Sequence, residues 1–258
     1  MSNSQAPLPA DRAQLGRVGF ETGSELYERA RPSYPDEAVA HLEESAGITP
    51  GCRVLDLAAG TGKLTRQLHG RGTDCLAVEP SASMREVFRR MVPEVGVAGG
   101  TAEMIPVADG TMDAVVVAQA FHWFDPARAL REIVRVLRPK GWLALIWNER
   151  DESDPTMAEL VRISKWDRCQ PYPMGNDFGA VIDQSGLFGP VERTQYSFVQ
   201  WLDRHSFVEQ VASRSYVQVL PDDERQSLLA EVAVFGATLG DPISMPYVTD
   251  LFCAQAAI

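Results

Sequence analysis

Apolar and polar residues follow one rhythm through the first part of the chain and a different one after Asn148. Val54-Leu55-Asp56-Leu57 is a short apolar run that ends in Gly60-Thr61-Gly62, and Leu64 and Leu68 then share a helical face. Cys75-Leu76-Ala77-Val78 is a second run, stopped by Glu79-Pro80. Met84, Val87, Phe88 and Met91 recur at helical spacing, with Ser83 and Glu86 in a capping-box pattern. Ala114 to Ala118 is a third strand. Asp125-Pro126 reads as N-cap and first helical residue of a helix whose apolar face is Ala129, Leu130, Ile133, Val134 and Leu137. Pro139-Lys140-Gly141 ends that helix, and Trp142 to Trp147 is a further buried run. Apolar runs without alternation, separated by amphipathic helices, predict a parallel sheet covered on both faces.

After Asn148 the predicted elements are a helix around Met157 to Trp166, an irregular Pro-broken loop to Asp177, and a strand from Val191 to Phe198. Then come a helix opened by Ser206 and Glu209, a helix from Pro221 to Phe235, and a last strand from Met245 to Ala254. Upstream, Met1 to about Gly16 reads as a polar, Pro/Ala-rich flexible tail. Phe20 to Tyr34 is too aromatic for a plain linker, and Pro35 opens a helix with Ala38, Val39 and Leu42 inside.

The net charge of −11 over 258 residues argues against a nonspecific grip on nucleic acid and against docking on anionic lipid. The four cysteines are scattered, without a C-x-x-C or neighbouring histidines, so zinc ligation is not expected. Cys169 has no activating neighbour in the sequence. With no signal-peptide pattern or membrane-length apolar run, the expectation is a cytoplasmic, metal-free protein acting on a small molecule.

The informative chemistry is the turn after the first run. A strand delivering the chain into Gly60-Thr61-Gly62, with a helix directly after, puts backbone amides where open α/β sheets bind ligands. A phosphate-binding P-loop fails twice, because Leu57 holds its first glycine position and Leu64 follows Lys63. A dinucleotide loop lacks its third glycine, since Thr65 stands there. Glu79, 19 positions after Gly60 and at a strand end, suits the hydroxyls of a ribose; a surface carboxylate capping the next helix is the plainer alternative.

At this level of detail VLDLAAGTGKLT, VEPSASM, GTAEMIPVADGTMDAVVVAQAFHWFD and EIVRVLRPKGWLALIWN resemble, in order, the motifs of class I S-adenosylmethionine (SAM)-dependent methyltransferases. YERARPSYP and AFHWFD resemble a methyltransferase type 11-like subgroup that includes small-molecule, often carboxylate, O-methyltransferases. The resemblance covers roughly Arg53 to Asn148. It implies a Rossmann-like, doubly wound, mostly parallel seven-stranded sheet with helices on both faces and added helices after the fifth strand. It implies SAM as cofactor and S-adenosylhomocysteine as product. The expected organisation is a tail and candidate active-site lid over 1–34 and a methyltransferase domain over 35–258, its cofactor core at about 50–150.

By the same resemblance, Gly60 and Gly62 let the backbone approach the methionine part of SAM, and Asp56 orients their loop. Glu79 holds the ribose, Met84 flanks the adenine, Ala102 and Glu103 lie at its edge, and Gln119 sits beside the methionine. Thr101 departs from the Asp common at its position, which weakens the contact to the adenine amino group. His122 and Trp123 follow the fourth strand and face the methyl acceptor, His122 as a general base if the acceptor is a hydroxyl. Tyr27 and Arg31 belong to the lid, where Arg31 pairs with a carboxylate of SAM or substrate. Packing alternatives stay open: Met84 as core, His122 as a buried imidazole, Trp123 as a wedge, Tyr27 and Tyr34 as domain contacts. Trp166, Trp201 and Phe207 fit either an apolar acceptor pocket or ordinary core. Three other functions remain: an NAD(P)-dependent oxidoreductase, a SAM-binding protein without turnover, and a methyltransferase of nucleic acid or protein. Oligomeric state is not readable from the sequence.

Overall fold

The unbroken apolar runs become the inner strands of a single sheet. The computed structural model describes residues 23–164 and 177–257. In chain order the elements are α1 (residues 23–30), α2 (Asp36–Ser45), β1 (Arg53–Leu57), α3 (Lys63–His69), β2 (Asp74–Val78), α4 (Ala82–Met91), β3 (Val97–Ala98), β4 (Met112–Ala118), α5 (Pro126–Val136) and β5 (Leu137–Arg150). They continue with α6 (Pro155–Ser164), α7 (Phe178–Ser185), β6 (Glu192–Leu202), α8 (Arg204–Ala212), α9 (Ser215–Gln218), α10 (Asp222–Ala237) and β7 (Ile243–Gln255).

The seven strands are ordered β3-β2-β1-β4-β5-β7-β6. The first five are parallel, and β7 runs antiparallel to both β5 and β6. This is the expected Rossmann-like α/β sheet. Its inner strands bury both faces. Leu55, Leu57, Val115, Val117, Leu143 and Leu145 pack with Ala129, Leu130 and Ile133 of α5 on one side. Val54, Ala114, Val116, Ala144 and Ile146 pack with Ala38, Val39 and Leu42 of α2 and Leu64 and Leu68 of α3 on the other. Neighbouring residues of one strand thus serve different cores, which is why these runs show no alternation. A third core of Met157, Leu160, Phe207, Val211, Val232 and Tyr247 joins α6, α8 and α10 to the far end of β7. Phe207 therefore belongs to a core, whereas Trp201 is exposed on the edge strand β6. The predictions on Met1–Gly16, Trp166 and Cys169 lie outside the described residues.

Several local expectations shift. The cap of α4 is Ser81, whose hydroxyl accepts from Met84 N, so Ser83 and Glu86 fall inside the helix instead of bracketing it. Asp203 caps α8 by accepting from Ser206 N, displacing the Ser206–Glu209 box in the same way. Both changes follow from an earlier residue with a suitable oxygen in extended backbone. The helix before Gly141 ends at Val136, and Leu137 already pairs with Met112 as the start of β5. Asp125 does cap α5, accepting from Arg128 N at 3.2 Å. Helix α7 was not predicted, although it carries standard punctuation: an Asp177 cap and a left-handed Gly186.

Candidate active site

β1 and β4 are adjacent, but the chain leaves them toward opposite edges of the sheet, opening a crevice beyond their carboxyl ends. Each strand is followed by a non-glycine residue at positive φ, Ala58 at 59° and Gln119 at 59°. Such backbone costs energy and is retained where the surroundings enforce it. Ala58 N and Ala59 N both donate to Val78 O, at 2.7 and 3.2 Å, while Gln119 N donates to Ile146 O at 3.0 Å. The two turns are thereby pinned to β2 and β5, and between them opens a cleft of ≈ 500 Å³.

The cleft brings together Tyr27, Gly60, Glu79, Met84, Thr101, Ala102, Glu103, Gln119 and Trp123 from the sequence candidates. It adds Ala58, Met104, Phe124, Asp125 and Arg128, which were not among the candidate ligand-binding residues. Asp56, Gly62, Arg31 and His122 are not in this lining.

Glu79 is the electrostatic centre. It is buried, its Oε2 accepts from Gly60 N at 2.9 Å, and its Oε1 accepts from Ser81 N at 2.8 Å. One carboxylate therefore ties the glycine turn to the start of α4, with a free lone pair on each oxygen. Burial raises its pKa, opposed by those backbone donors. A β-carbon on Gly60, at φ +57°, would meet nothing within 4 Å, so its face is open to the cleft. Gln119 Nε2 donates to Asn148 O at 3.0 Å, which fixes its amide at the rim. Glu103 Oε1 accepts from Asp125 N at 3.0 Å and braces the opposite wall.

Asp56 lies one layer down, where its Oδ2 accepts from Thr65 Oγ1 at 2.5 Å. Thr65, at the missing third-glycine position, thus locks β1 to α3 through its side chain. Burial pushes Asp56 up to about 7. An unfolded Asp titrates near 4. Between about pH 4 and 7 the folded chain therefore holds a proton that unfolding releases, and stability falls as pH rises across that window. Asp56→Asn is expected to flatten this slope by up to about 1.4 kcal/mol per pH unit, read from urea unfolding between pH 4.5 and 7. An unchanged slope would place the proton elsewhere.

His122 is packed between aromatic rings, 4.4 Å from Trp123 and 5.0 Å from Trp147 by centroids. Burial pulls its pKa down to about 3, so the imidazole is neutral at physiological pH. Trp123 is the member of the pair that reaches the cleft.

The segment 23–34 lies across this end of the sheet, and one of its fastenings is Glu28, which was not among the candidate site residues. Its carboxylate accepts from Thr61 Oγ1 at 2.5 Å and Arg66 Nη2 at 2.9 Å, and its carbonyl accepts from Lys63 Nζ at 2.7 Å. Gln67 Nε2 donates to Tyr34 O, and Asn148 Nδ2 donates to Ser33 O. Tyr27 is held over the cleft by these ties. Glu28→Ala is expected to raise amide exchange in 24–31 by roughly thirtyfold, about 2 kcal/mol of local opening, with exchange in β4 unchanged. Equal acceleration in β4 would mean global unfolding instead.

Among the described residues, no group of His, Cys, Asp and Glu is arranged to hold a metal ion, and no helix is long and apolar enough to cross a membrane. A family model described as a methyltransferase domain matches residues 55–145, from β1 to β5. An uncharacterized methyltransferase of Mycobacterium tuberculosis (strain ATCC 25618 / H37Rv) is 41% identical over 249 residues, covering 93% of this chain and 96% of the relative. The fold is similar to that of a putative type II methyltransferase from Anaeromyxobacter dehalogenans, with a TM-score of 0.64 at 23% identity over 88% of this chain and 97% of the other. It is also similar to a Haemonchus contortus phosphoethanolamine N-methyltransferase 2 solved with S-adenosyl-L-methionine, with a TM-score of 0.56 at 17% identity over 96% of this chain and 60% of the other.

Proposed function

This chain belongs to the class I SAM-dependent methyltransferases, and on that premise we propose that it methylates an oxygen of a small-molecule acceptor, a carboxylate in preference to a hydroxyl. The observation that carries the cofactor part is Glu79, a buried carboxylate at the end of β2 whose two oxygens are oriented by Gly60 N and Ser81 N at the cleft wall. The donor set fits SAM: an acid with spare lone pairs for ribose hydroxyls, an open glycine face, and an apolar slot containing Met84 and Ala102.

In this reading Glu79 holds the ribose, and Gly60 and Gln119 border the methionine part. Met84 and Ala102 flank the adenine, with Thr101 and Glu103 at its edge. Asp56 and Gly62 act through the shape of the turn, since neither lines the cleft. Tyr27 closes over the cofactor, and Trp123 faces the acceptor. Arg31 is reserved for a negative charge.

When bound, SAM supplies a methyl group already activated on a sulfonium sulfur, so a C–O bond forms as the C–S bond breaks. The protein's task is alignment and exclusion of water. A carboxylate arrives ionised and needs no base. The neutral His122, outside the cleft lining and held at about 3, supports that choice over a hydroxyl. Calorimetric titration with SAM and S-adenosylhomocysteine tests the cofactor part, and transfer of tritiated methyl to small carboxylic acids and phenols tests the acceptor. Binding with label appearing in base-labile esters supports the reading. Label only in amines or phenols would overturn the carboxylate preference, and absence of binding would overturn the cofactor site.

A further inference from the structure

Beyond Tyr27 three arginines converge from three separate segments: Arg31 after α1, Arg150 at the end of β5, and Arg214 between α8 and α9. They are close enough to repel. Burial pulls Arg31 down to about 9 and Arg150 to about 10, and in both the next contribution is the charge of Arg214. Each of the three residues nevertheless keeps partial solvent exposure.

Neutral groups position them. Arg31 Nε donates to Ser213 Oγ at 2.8 Å, and its Nη2 to Ser213 O at 3.4 Å. Arg150 Nη2 donates to Gln210 Oε1 at 3.1 Å, while Gln210 Nε2 donates to Tyr247 Oη at 2.5 Å and so turns its oxygen toward Arg150. Arg150 Nε is buried with no hydrogen-bond partner among the described residues. Elsewhere arginines meet acids: Arg135 has Glu132 and Asp109, Arg193 has Asp250, and Arg66 has Glu28. Among the described residues, no carboxylate stands in ion-pair contact with Arg31 or Arg150. Glu149 is near enough to Arg214 to feel its charge. Collecting like charges side by side, two of them without an acid in contact, is costly, and a ligand anion offsets that cost.

The arginine cluster adjoins the cleft. The Arg31 guanidinium lies 5.5 Å from the centre of the Tyr27 ring, and Tyr27 lines the cleft. Gln119, on the same lining, is bonded to Asn148 O, two positions before Arg150 on β5. We infer that Arg31, Arg150 and Arg214 form the receptor for an anionic group, carboxylate or phosphate, carried by the methyl acceptor in addition to the oxygen that is methylated. This rests on the methyltransferase reading and narrows it to acceptors bearing at least two acidic groups. Such an acceptor stays anchored when methylation removes the charge of its reacting carboxylate, whereas a monoacid uses its sole charge either for anchoring or for reaction.

The test uses the full chain and its Arg150→Gln and Arg214→Gln variants, titrated with glutarate, inorganic phosphate and butyrate, with and without saturating S-adenosylhomocysteine. Glutarate is expected to bind the wild-type complex saturably and at least tenfold more tightly than butyrate. Both variants are expected to lose tenfold or more of that affinity and to keep S-adenosylhomocysteine affinity within twofold, with a melting curve showing that each is folded. Glutarate affinity unaltered in both variants would overturn the proposal, as would glutarate and phosphate both failing to bind. A tenfold loss of S-adenosylhomocysteine affinity in Arg150→Gln would also overturn it, reassigning the arginines to the cofactor's own carboxylate. If the wild type binds no S-adenosylhomocysteine, the methyltransferase reading fails by itself, and the glutarate titration without cofactor still decides whether the arginines bind an anion.

Discussion

Glu79→Ala is expected to raise the Kd for S-adenosylhomocysteine by at least about a hundredfold while leaving the chain folded. Hydrogen bonds to a charged partner contribute about 1.5–3 kcal/mol each. Losing a bidentate grip on two ribose hydroxyls reaches about 3 kcal/mol, which is roughly a hundredfold. The substitution also strips Gly60 N and Ser81 N of their acceptor, so the turn that carries the open glycine face loses its tie to α4. Glu79→Gln separates the two effects. One end of the amide still accepts, but its NH₂ end faces a backbone donor, Gly60 N or Ser81 N. Affinity is expected to fall about tenfold in that variant. The pH dependence has a fixed sign. Only the ionised carboxylate accepts at both oxygens, and burial raises its pKa. Cofactor binding should therefore weaken as pH falls, beginning at a higher pH than an ordinary glutamate near 4.3 would produce. Calorimetry between pH 5 and 8, with a circular-dichroism melt for each variant, checks all three statements. An alanine variant that binds normally would remove Glu79 from the cofactor site.

The part of the fold that was legible is the part with a two-sided core. Val54 and Leu55 face different helices, as do Val116 and Val117. A strand buried on both sides must be apolar at every position, and that leaves an unmistakable run. Strand β6 is different. It is the sheet edge, its residues alternate between exposed and half-buried, and Trp201 stands in solvent. The predicted strand stops at Phe198, four residues short of its end at Leu202. Helix ends were misplaced where two oxygen-bearing residues compete within one turn, as Ser81 and Ser83 do before α4, because the choice is made by backbone conformation and not by residue type. The site divides along the same line. Gly60 and Glu79 are spaced by one strand-turn-helix-strand unit, β1 to β2, so their proximity is local information. Glu28 meets Arg66 across 38 positions, and Arg31 meets Ser213 across 182. No short pattern encodes such meetings. Gly62 illustrates a third case: it was legible as part of a motif, but the packing gives it a job different from that of its neighbour.

Gly60→Ala and Gly62→Ala are expected to fail in opposite ways, although the two residues are separated by one position in the same turn. Gly62 is the left-handed N-cap of α3 at φ +85°, and a β-carbon there would stand 2.8 Å from the Phe88 ring and from Val92 Cγ2. Left-handed backbone costs an alanine about 1–2 kcal/mol. Forcing a methyl group into a packed core costs about 1–3 kcal/mol more. Phe88 is fully buried beneath Ala77, Val92 and Val95, so it has no room to withdraw. At about 2–4 °C per kcal/mol for a chain of this size, Gly62→Ala should lower Tm by roughly 5–15 °C. Gly60 also has positive φ, +57°, but nothing lies within 4 Å of its β-carbon position. Its substitution should cost only the backbone component, about 1–2 kcal/mol and a few degrees. The new methyl group would point into the cleft where the cofactor's backbone contact is proposed, and S-adenosylhomocysteine affinity should drop at least tenfold. Melting curves and titrations on the two variants, run side by side, therefore distinguish a glycine kept for the ligand from a glycine kept for Phe88. If Gly60→Ala bound normally and Gly62→Ala melted normally, the turn would not be organised in this way.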